Sequence, residues 1–501
     1  MTKGFLAKIF ARVIRFKNKD WIKNPIKYQN LILKKLLRKG GETEFGRDHD
    51  FKNVKTYNDF IEKVPVSDYE EIRCYIEKIL AGEKNILWPG VPLYFAKTSG
   101  TTSGVKYIPI TKDSIKTHIT SARDAILNYI YKSGNTKVVY GKHIFIQGSP
   151  VLNKKNGILI GRLSGIAAHY VPKYMLNNRM PSWKTNCIQE WEKKVDEIVK
   201  ETINEDLTII AGIPSWVQMY FERISDKSEK NVGQKFPNFS LFIYGGVNMD
   251  PYRSIFDKLI GRKLDSIEVY PASEGFIAYQ DQLNNDSLLL LVNNGIFYEF
   301  IEVSNFFNKK PKRLPLSKVE KGINYVIIIS TTAGLWAYNI GDTVEFVSLR
   351  PYRIKVTGRI NHFISAFGEH VIGSEVEKAL NFGVKRSNKK IFVREFTVAP
   401  KINPKKGRSF HEWFIEFDTI PDELNNLEKN IDNFLQKQNI YYRDLITGKI
   451  LKRLVIRVVK KNSFSNYMKN IGKLGGQNKV PRLSNDRKIA EFLKKFIINK
   501  D

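Results

Sequence analysis

The chain has 501 residues, and its 82 Lys and Arg outnumber its 51 Asp and Glu, giving a formal net charge of +31. A hydrophobic share of 42% with 27% charged residues is that of an ordinary globular protein with a full core, and at roughly 100–200 residues per domain the length suits two to four domains or subdomains. Two distant cysteines, Cys74 and Cys187, exclude a disulfide framework and a thiolate zinc site and suit a reducing, cytoplasmic compartment, and no run reaches the ~18–20 apolar residues of a transmembrane segment.

The opening stretch, MTKGFLAKIFARVIRFKNKD, is amphipathic and basic. Lys8, Arg12 and Arg15 interrupt it, which excludes a secretory hydrophobic region and leaves a membrane-surface or transit segment as alternatives to a first helix. Phe5, Ile9, Val13 and Phe16 fall at helical spacing and predict that helix, with these residues facing the core. Residues 25–85 read as helical, with apolar residues three and four apart in YQNLILKKLLRKG and YEEIRCYIEKILAG. Further on, strand-like runs alternate with helical ones: KVVYGKHIFIQGS before QEWEKKVDEIVKETI, LTIIAGI before PSWVQMYFERI, FSLFIYGG before PYRSIFDKLIG, then SIEVYPAS. This alternation predicts an α/β core with a largely parallel sheet. From about residue 285 successive strands with turns (SLLLLVNNGIFYEFIEV, NYVIIISTTAGLWAYNIGDTVEFVSL, YRIKVTGRI) predict a β-barrel-like or antiparallel subdomain. From about 361 strands and helices mix as in a small α+β domain. The basic excess is spread through all of these segments, with no basic arm, recognition-helix pattern or zinc ligands. Nucleic acid is therefore not the expected partner, and the charge favours anionic small molecules such as nucleotides.

Chemistry concentrates in a few places. TSGTTSG, residues 98–104, crowds hydroxyls and unshielded backbone N–H groups that suit phosphate oxygens, with Lys106 just downstream. It is not a P-loop, because Gly100 and Gly104 are one residue too close and Lys106 does not directly follow the second glycine. In an open α/β sheet ligands sit at the carboxyl ends of strands, where three loops are expected: TSGTTSG, Tyr244–Gly246 and YPASEG, Tyr270 to Gly275. Glu274 reads either as a hard ligand for Mg²⁺ beside a phosphate or as an N-capping acid of the next helix. Asp342, after a glycine between strands, suits either two ribose hydroxyls or a turn. Lys479, in GGQNKVPRL, can carry a positive charge to a phosphate or lie in a surface turn.

In order and spacing these elements resemble the adenylate-forming superfamily of acyl-CoA synthetases, peptide-synthetase adenylation domains and luciferase. The departures resemble one branch of it, the Gretchen Hagen three (auxin-responsive promoter) family of acyl acid amido synthetases. TSGTTSGVKYIP matches that branch's S-S-G-T-S-x-G-x-x-K-x-I-P except for Thr98 and Thr102 in place of Ser; YPASE, YNIGD and QNKVPR match its Y-x-x-S-E, Y-x-x-G-D and Q-x-K-x-P-R. The resemblance implies an N-terminal domain over 1–360 and a smaller mobile domain over 361–501, hinged near Arg359, with Asn361 where the superfamily usually has Asp. It implies ATP and Mg²⁺ as cofactors, a carboxylic acid activated as its adenylate, and an amine, usually of an amino acid, as acceptor. Thr98, Ser99, Gly100, Thr101, Thr102, Ser103 and Lys106 would hold phosphates, and Tyr270, Ala272 and Ser273 would line the adenine. Glu274 with Ser99 or Thr98 would position Mg²⁺, Asp342 would take the ribose, and Lys479 would neutralise charge as pyrophosphate leaves. His169, Trp216 and Met219 are candidates for the acid pocket by position. Formation of a thioester with coenzyme A is the alternative on the same fold, and a basic nucleic-acid-binding protein is the reading from another class.

Overall fold

The computed structural model describes residues 2–99, 105–246, 249, 252–283, 285–308, 310–360, 363–364, 371–387, 391–402, 404, 407–447, 451–474, 479–484 and 487–498. The chain separates into two compact units: Met1–Gly246 with Ile260–Val356, and Val247–Leu259 with Thr357–Asp501.

The first unit opens with helices Lys3–Lys23, Pro25–Gly40, Glu44–Asp48, Tyr57–Lys63 and Arg73–Leu80. The first helix is where predicted, but its inward face is not. Gly4, Ala7, Ala11 and Trp21 are buried, whereas Phe5, Ile9, Val13 and Phe16 are exposed. Small residues recur at helical spacing on the opposite side of the helix, and they allow close approach to the long helix Lys112–Ser133 and to Tyr140. The Gly4 N–H donates to the Tyr140 hydroxyl at 3.0 Å, and a Cβ on Gly4 would stand 2.9 Å from that oxygen.

Strands β1 (Tyr94–Ser99), β2 (Val105–Ile110), β3 (Lys142–Ile146), β4 (Asn153–Lys155) and β5 (Ile158–Gly161) come first. They are followed by β6 (Arg179–Met180), β7 (Leu207–Gly212), β8 (Leu241–Gly245) and β9 (Asp265–Ala272). The run closes with β10 (Gly275–Gln280), β11 (Leu288–Leu290), β12 (Ile296–Glu302), β13 (Leu314–Pro315), β14 (Asn324–Thr331), β15 (Tyr338–Leu349) and β16 (Tyr352–Arg359). Twelve of them form one sheet in the order β13-β12-β14-β15-β16-β11-β10-β9-β8-β7-β3-β6. From β9 through β8, β7 and β3 to β6 the pairing is parallel. Leu207–Ile210 and Leu241–Tyr244 are buried throughout, as in strands covered on both faces. The crossover segments carry helices Trp191–Thr202 and Pro214–Ser228, which supply the predicted alternation. From β10 onward the described pairings are antiparallel, so the late strands extend the same sheet. The other strands form a second sheet, β2-β1-β5-β4.

The second unit holds β17 (Phe363–Ile364), β18 (Val371–Ile372), β19 (Phe392–Lys401), β20 (Phe410–Thr419) and β21 (Val455–Val459). The last three form a sheet in that order. Alternate side chains of β20 feed two cores. Trp413 and Ile415 join Val376, Leu380 and Leu427 from helices Gly373–Lys385 and Leu424–Gln438, and Phe414 joins Phe464, Ile489 and Leu493 on the other face. Among the described residues no helix is long and apolar enough to cross a membrane.

Candidate functional site

The hydroxyl/glycine loop joins β1 to β2. The two strands are antiparallel, Thr98 facing Lys106 and Ser99 facing Val105, so the strands on either side of the loop pair as a hairpin in the small sheet and do not belong to the large one. Gly100, Thr101, Thr102, Ser103 and the side chain of Ser99 lie outside the described residues. The stem of the hairpin is fixed. The Tyr107 N–H donates to the Tyr69 hydroxyl at 3.0 Å, and the Lys106 ammonium sits 5.5 Å from the centre of the Tyr69 ring.

YPASEG forms a second hairpin. Ala272 faces Gly275, so Ser273 and Glu274 are the two turn residues between β9 and β10. No helix follows Glu274, and the N-capping alternative is therefore excluded: the residue after it begins a buried strand. Glu274 is half-buried, while the Tyr270 side chain is buried on β9.

Asp342 is inside β15, not between strands. Val326 faces Thr343 and Ile328 faces Asn339, so Ile340, Gly341 and Asp342 bulge opposite Ile327 alone. Gly341 has φ +83°, a left-handed conformation that side chains disfavour, and the Asn339 amide oxygen accepts from its N–H at 2.8 Å. The bulge aims Asp342 at β9, where the Tyr270 hydroxyl donates to its Oδ2 at 2.6 Å. Two residues read separately, one for adenine and one for ribose, thus meet across 72 positions of sequence. Ser67 secures the start of β15: its N–H donates to the Ala337 carbonyl at 3.1 Å, and its carbonyl accepts from the Asn339 N–H at 2.8 Å.

Among the acid-pocket candidates, Trp216 packs on Trp191 with ring centres 4.3 Å apart, and the Trp191 indole donates to Met219 Sδ at 3.4 Å. His169 is placed differently, with Nε2 at 3.0 Å from the Pro150 carbonyl and its ring against Trp183.

The sequence reading missed Lys194. Its ammonium, 1% exposed, donates to the carbonyls of Gln147 at 2.9 Å and Asn186 at 2.7 Å, just past the carboxyl end of β3. Burial pushes its pKa down to about 8. Ser164 Oγ, Arg179 Nη2 and both side-chain polar atoms of Asn186 are buried without hydrogen-bond partners, so this region holds unused capacity to bind a polar group. One signal was legible: Lys194 interrupts the apolar face formed by Trp191, Val195 and Ile198.

In the second unit Arg359 is exposed and ends β16, next to Gly358 at φ +149°. Asn361 lies outside the described residues, as do the residues 475–478 before Lys479. Lys479 itself is exposed, and the chain just after it is clamped to β19. Thr397 Oγ1 donates to the Pro481 carbonyl at 2.7 Å, Val398 N–H to the Arg482 carbonyl at 2.9 Å, and Ser484 N–H to the Val398 carbonyl at 3.0 Å. Arg482 bonds Glu377 at 3.2 Å and also Glu395, and lies over the Phe396 ring. Burial lowers the pKa of its guanidinium, but Glu395 and Glu377 outweigh that and raise it, so the anchor stays charged.

The mixed sheet with its bulged aspartate, together with the small sheet that carries the β1–β2 hairpin, has the fold of an adenylate-forming ligase. It superposes on 2-hydroxyisobutyryl-CoA ligase in the postadenylation state with a TM-score of 0.60, at 14% identity over 93% of this chain and 91% of that one. It superposes on the GH3.15 acyl acid amido synthetase with a TM-score of 0.81, at 17% identity over 96% and 95%. Three family models match in order: the GH3 family N-terminal domain over residues 17–187, the central domain over 289–359 and the C-terminal domain over 374–488. The chain belongs to the GH3 family, and it is a ligase of that family. Relatives include a jasmonoyl–L-amino acid synthetase of Nicotiana attenuata, 21% identical over 92% of this chain and 91% of its own. An indole-3-acetic acid-amido synthetase of Arabidopsis thaliana is 22% identical over 94% of each.

Proposed function

We propose that this protein uses ATP to convert a carboxylic acid to its acyl-adenylate with release of pyrophosphate, then transfers the acyl group to the amine of an amino acid with release of AMP. The observation that carries this reading is the 2.6 Å contact of Tyr270 with Asp342, which joins the ring proposed beside the base to the carboxylate proposed for the ribose, in a chain that the family models match over residues 17–187, 289–359 and 374–488. In the first step a carboxylate oxygen attacks the α-phosphorus and the bond to pyrophosphate breaks; in the second the amine attacks the acyl carbon and AMP leaves. Neither step needs a covalent enzyme nucleophile, only positioning and neutralised charge.

Asp342 accepts from the ribose hydroxyls, Tyr270 with Ala272 and Ser273 bounds the base, the Thr98–Ser103 hairpin with Lys106 holds phosphates, and Lys479 from the second unit offsets charge on the leaving pyrophosphate. Arg359 marks the junction of domains 1–360 and 361–501. Among the described residues no three His, Cys, Asp or Glu gather as a metal cage. The turn carboxylate Glu274 is proposed for Mg²⁺, which takes one or two carboxylates and fills its shell with phosphate oxygens and water. A bound Mg²⁺ would neutralise triphosphate charge. Trp216 and Met219 are proposed walls of the acid pocket, with His169 at its edge. The relatives whose names join an acid to an amino acid support an amide product. The free thiols Cys74 and Cys187 support work in a reducing compartment, the cytoplasm. A panel of carboxylic acids screened by pyrophosphate release, with amino acids or coenzyme A as acceptor, tests the proposal. Release that depends on an acid, followed by amide and not thioester, is expected, and acid-independent release or thioester alone rejects it.

A further inference from the structure

The first helix presents an unusual outer surface. Its inner side is made of Gly4, Ala7, Ala11 and Trp21. Its outer side exposes six large apolar residues: Phe5 at 49%, Leu6 at 40%, Ile9 at 38%, Phe10 at 59%, Val13 at 42% and Phe16 at 78%. At 100° per residue these six fall within an arc of about 140° on the side away from Gly4, Ala7 and Ala11. Scattered exposed apolar residues need no explanation, but a contiguous stripe along one helix does.

The charges border the stripe. Lys8, Arg12 and Lys19 project along one edge and Lys3 along the other, with Lys17 just inside that second edge one position past Phe16, and all five are exposed. Asp20 is the helix's single acid, and it accepts hydrogen bonds from Tyr28 at 2.6 Å and Asn24 at 2.8 Å. We propose that the helix Lys3–Lys23 docks in the plane of an anionic lipid surface, with Phe5, Ile9, Phe10, Val13 and Phe16 seated at the boundary between headgroups and acyl chains and Lys8, Arg12, Lys17 and Lys19 on the headgroups.

Three features commit the stripe to lipid. The helix carries Lys3, Lys8, Arg12, Arg15, Lys17, Lys19 and Lys23 against Asp20, and the chain as a whole is +31, so a second copy would bring like charges together. The same charges forbid a spanning orientation. The apolar residues form a convex ridge backed by the folded unit, a shape that a fluid headgroup layer can surround without a matching groove. Docking would hold the enzyme at the surface where sparingly water-soluble acids partition.

Co-sedimentation of the full chain with vesicles decides the matter. The chain should pellet with phosphatidylcholine vesicles containing about 30% phosphatidylserine and stay in solution with phosphatidylcholine alone, because the anionic headgroups supply the attraction. Raising the salt to roughly 0.5 M should release it by screening. Phe10→Asp with Phe16→Asp, at the two most exposed positions, should lower pelleting at least tenfold with an unchanged melting temperature. Lys8→Glu with Arg12→Glu, which leaves every apolar residue in place, should do the same. Failure of the wild-type chain to pellet with the anionic vesicles overturns the proposal. So does pelleting of either double variant at the wild-type level, or a dimer in sedimentation velocity that Phe10→Asp with Phe16→Asp dissociates while vesicles bind nothing.

Discussion

Tyr270→Phe is the sharpest perturbation of the site, because it deletes one oxygen and keeps the ring. The hydroxyl removed donates to Asp342 Oδ2 at 2.6 Å, a short bond to a charged acceptor. Such bonds contribute about 1.5–3 kcal/mol. Asp342 is half-buried, so water can replace part of the loss, and the lower figure applies: about 1.5 kcal/mol, near tenfold in affinity. If the bond serves to hold the carboxylate toward the ribose, that tenfold should fall on ATP. The assay is acid-dependent pyrophosphate release at varied ATP, compared with 2′-deoxy-ATP. The variant should show KM for ATP raised about tenfold with kcat changed much less, and the wild-type preference for ATP over the deoxy analogue should shrink, since a wandering carboxylate discriminates less. An unchanged KM with a lowered melting temperature would refute the reasoning and leave the contact as a strand-to-strand brace. A loss confined to kcat would equally count against a ground-state positioning role.

Glu274→Gln keeps size and hydrogen bonding and removes the charge a cation needs; as Glu274 is a turn residue, the variant should fold normally and demand far more Mg²⁺ for adenylate formation, and an unchanged Mg²⁺ titration would dismiss the metal role. Lys479→Ala should reduce pyrophosphate exchange by roughly 10²–10³, the cost of one transition-state donor, with ATP binding nearly intact and conversion of preformed adenylate to amide much less affected. Equal losses in both half-reactions would deny Lys479 a dedicated adenylation role. Burial holds the His118 imidazole down to about 4, so between pH 6.5 and 4 the unfolded chain binds a proton that the folded one does not. Stability therefore falls as pH drops through that window, by roughly 3 kcal/mol from this group, and His118→Leu should flatten the denaturation midpoint across it.

The order of elements was legible because short continuous apolar runs give way to helical spacing at each crossover, as LTIIAGI gives way to PSWVQMYFERI. The candidate site segments stand out in the sequence because glycine, hydroxyl and carboxylate recur in fixed local spacing. What escaped was whatever depends on the third dimension. The first helix offers two faces at helical spacing, and apolar size alone points to the large residues as the inner one, although closeness to helix Lys112–Ser133 selects the small residues. Asp342 in a G-D pair reads as a turn, because a bulge inside a strand is visible only from the register of its partner. The meeting of Tyr270 with Asp342 belongs to the sheet order, which no local pattern contains. Lys194 was hidden by composition: in a chain with 82 Lys and Arg, one lysine on an apolar helix face passes for a surface residue.

The central claim is an acyl-adenylate, and the fate of one oxygen tests it most directly. A substrate acid labelled with ¹⁸O in its carboxylate is turned over with ATP and the accepting amino acid, and the products are weighed by mass spectrometry. Attack of the carboxylate on the α-phosphorus leaves one labelled oxygen in AMP and one in the amide carbonyl, with pyrophosphate unlabelled. Label in inorganic phosphate with ADP as the nucleotide product would mean an acyl phosphate, and unlabelled AMP would mean that the acid never joined the nucleotide; either result contradicts the account.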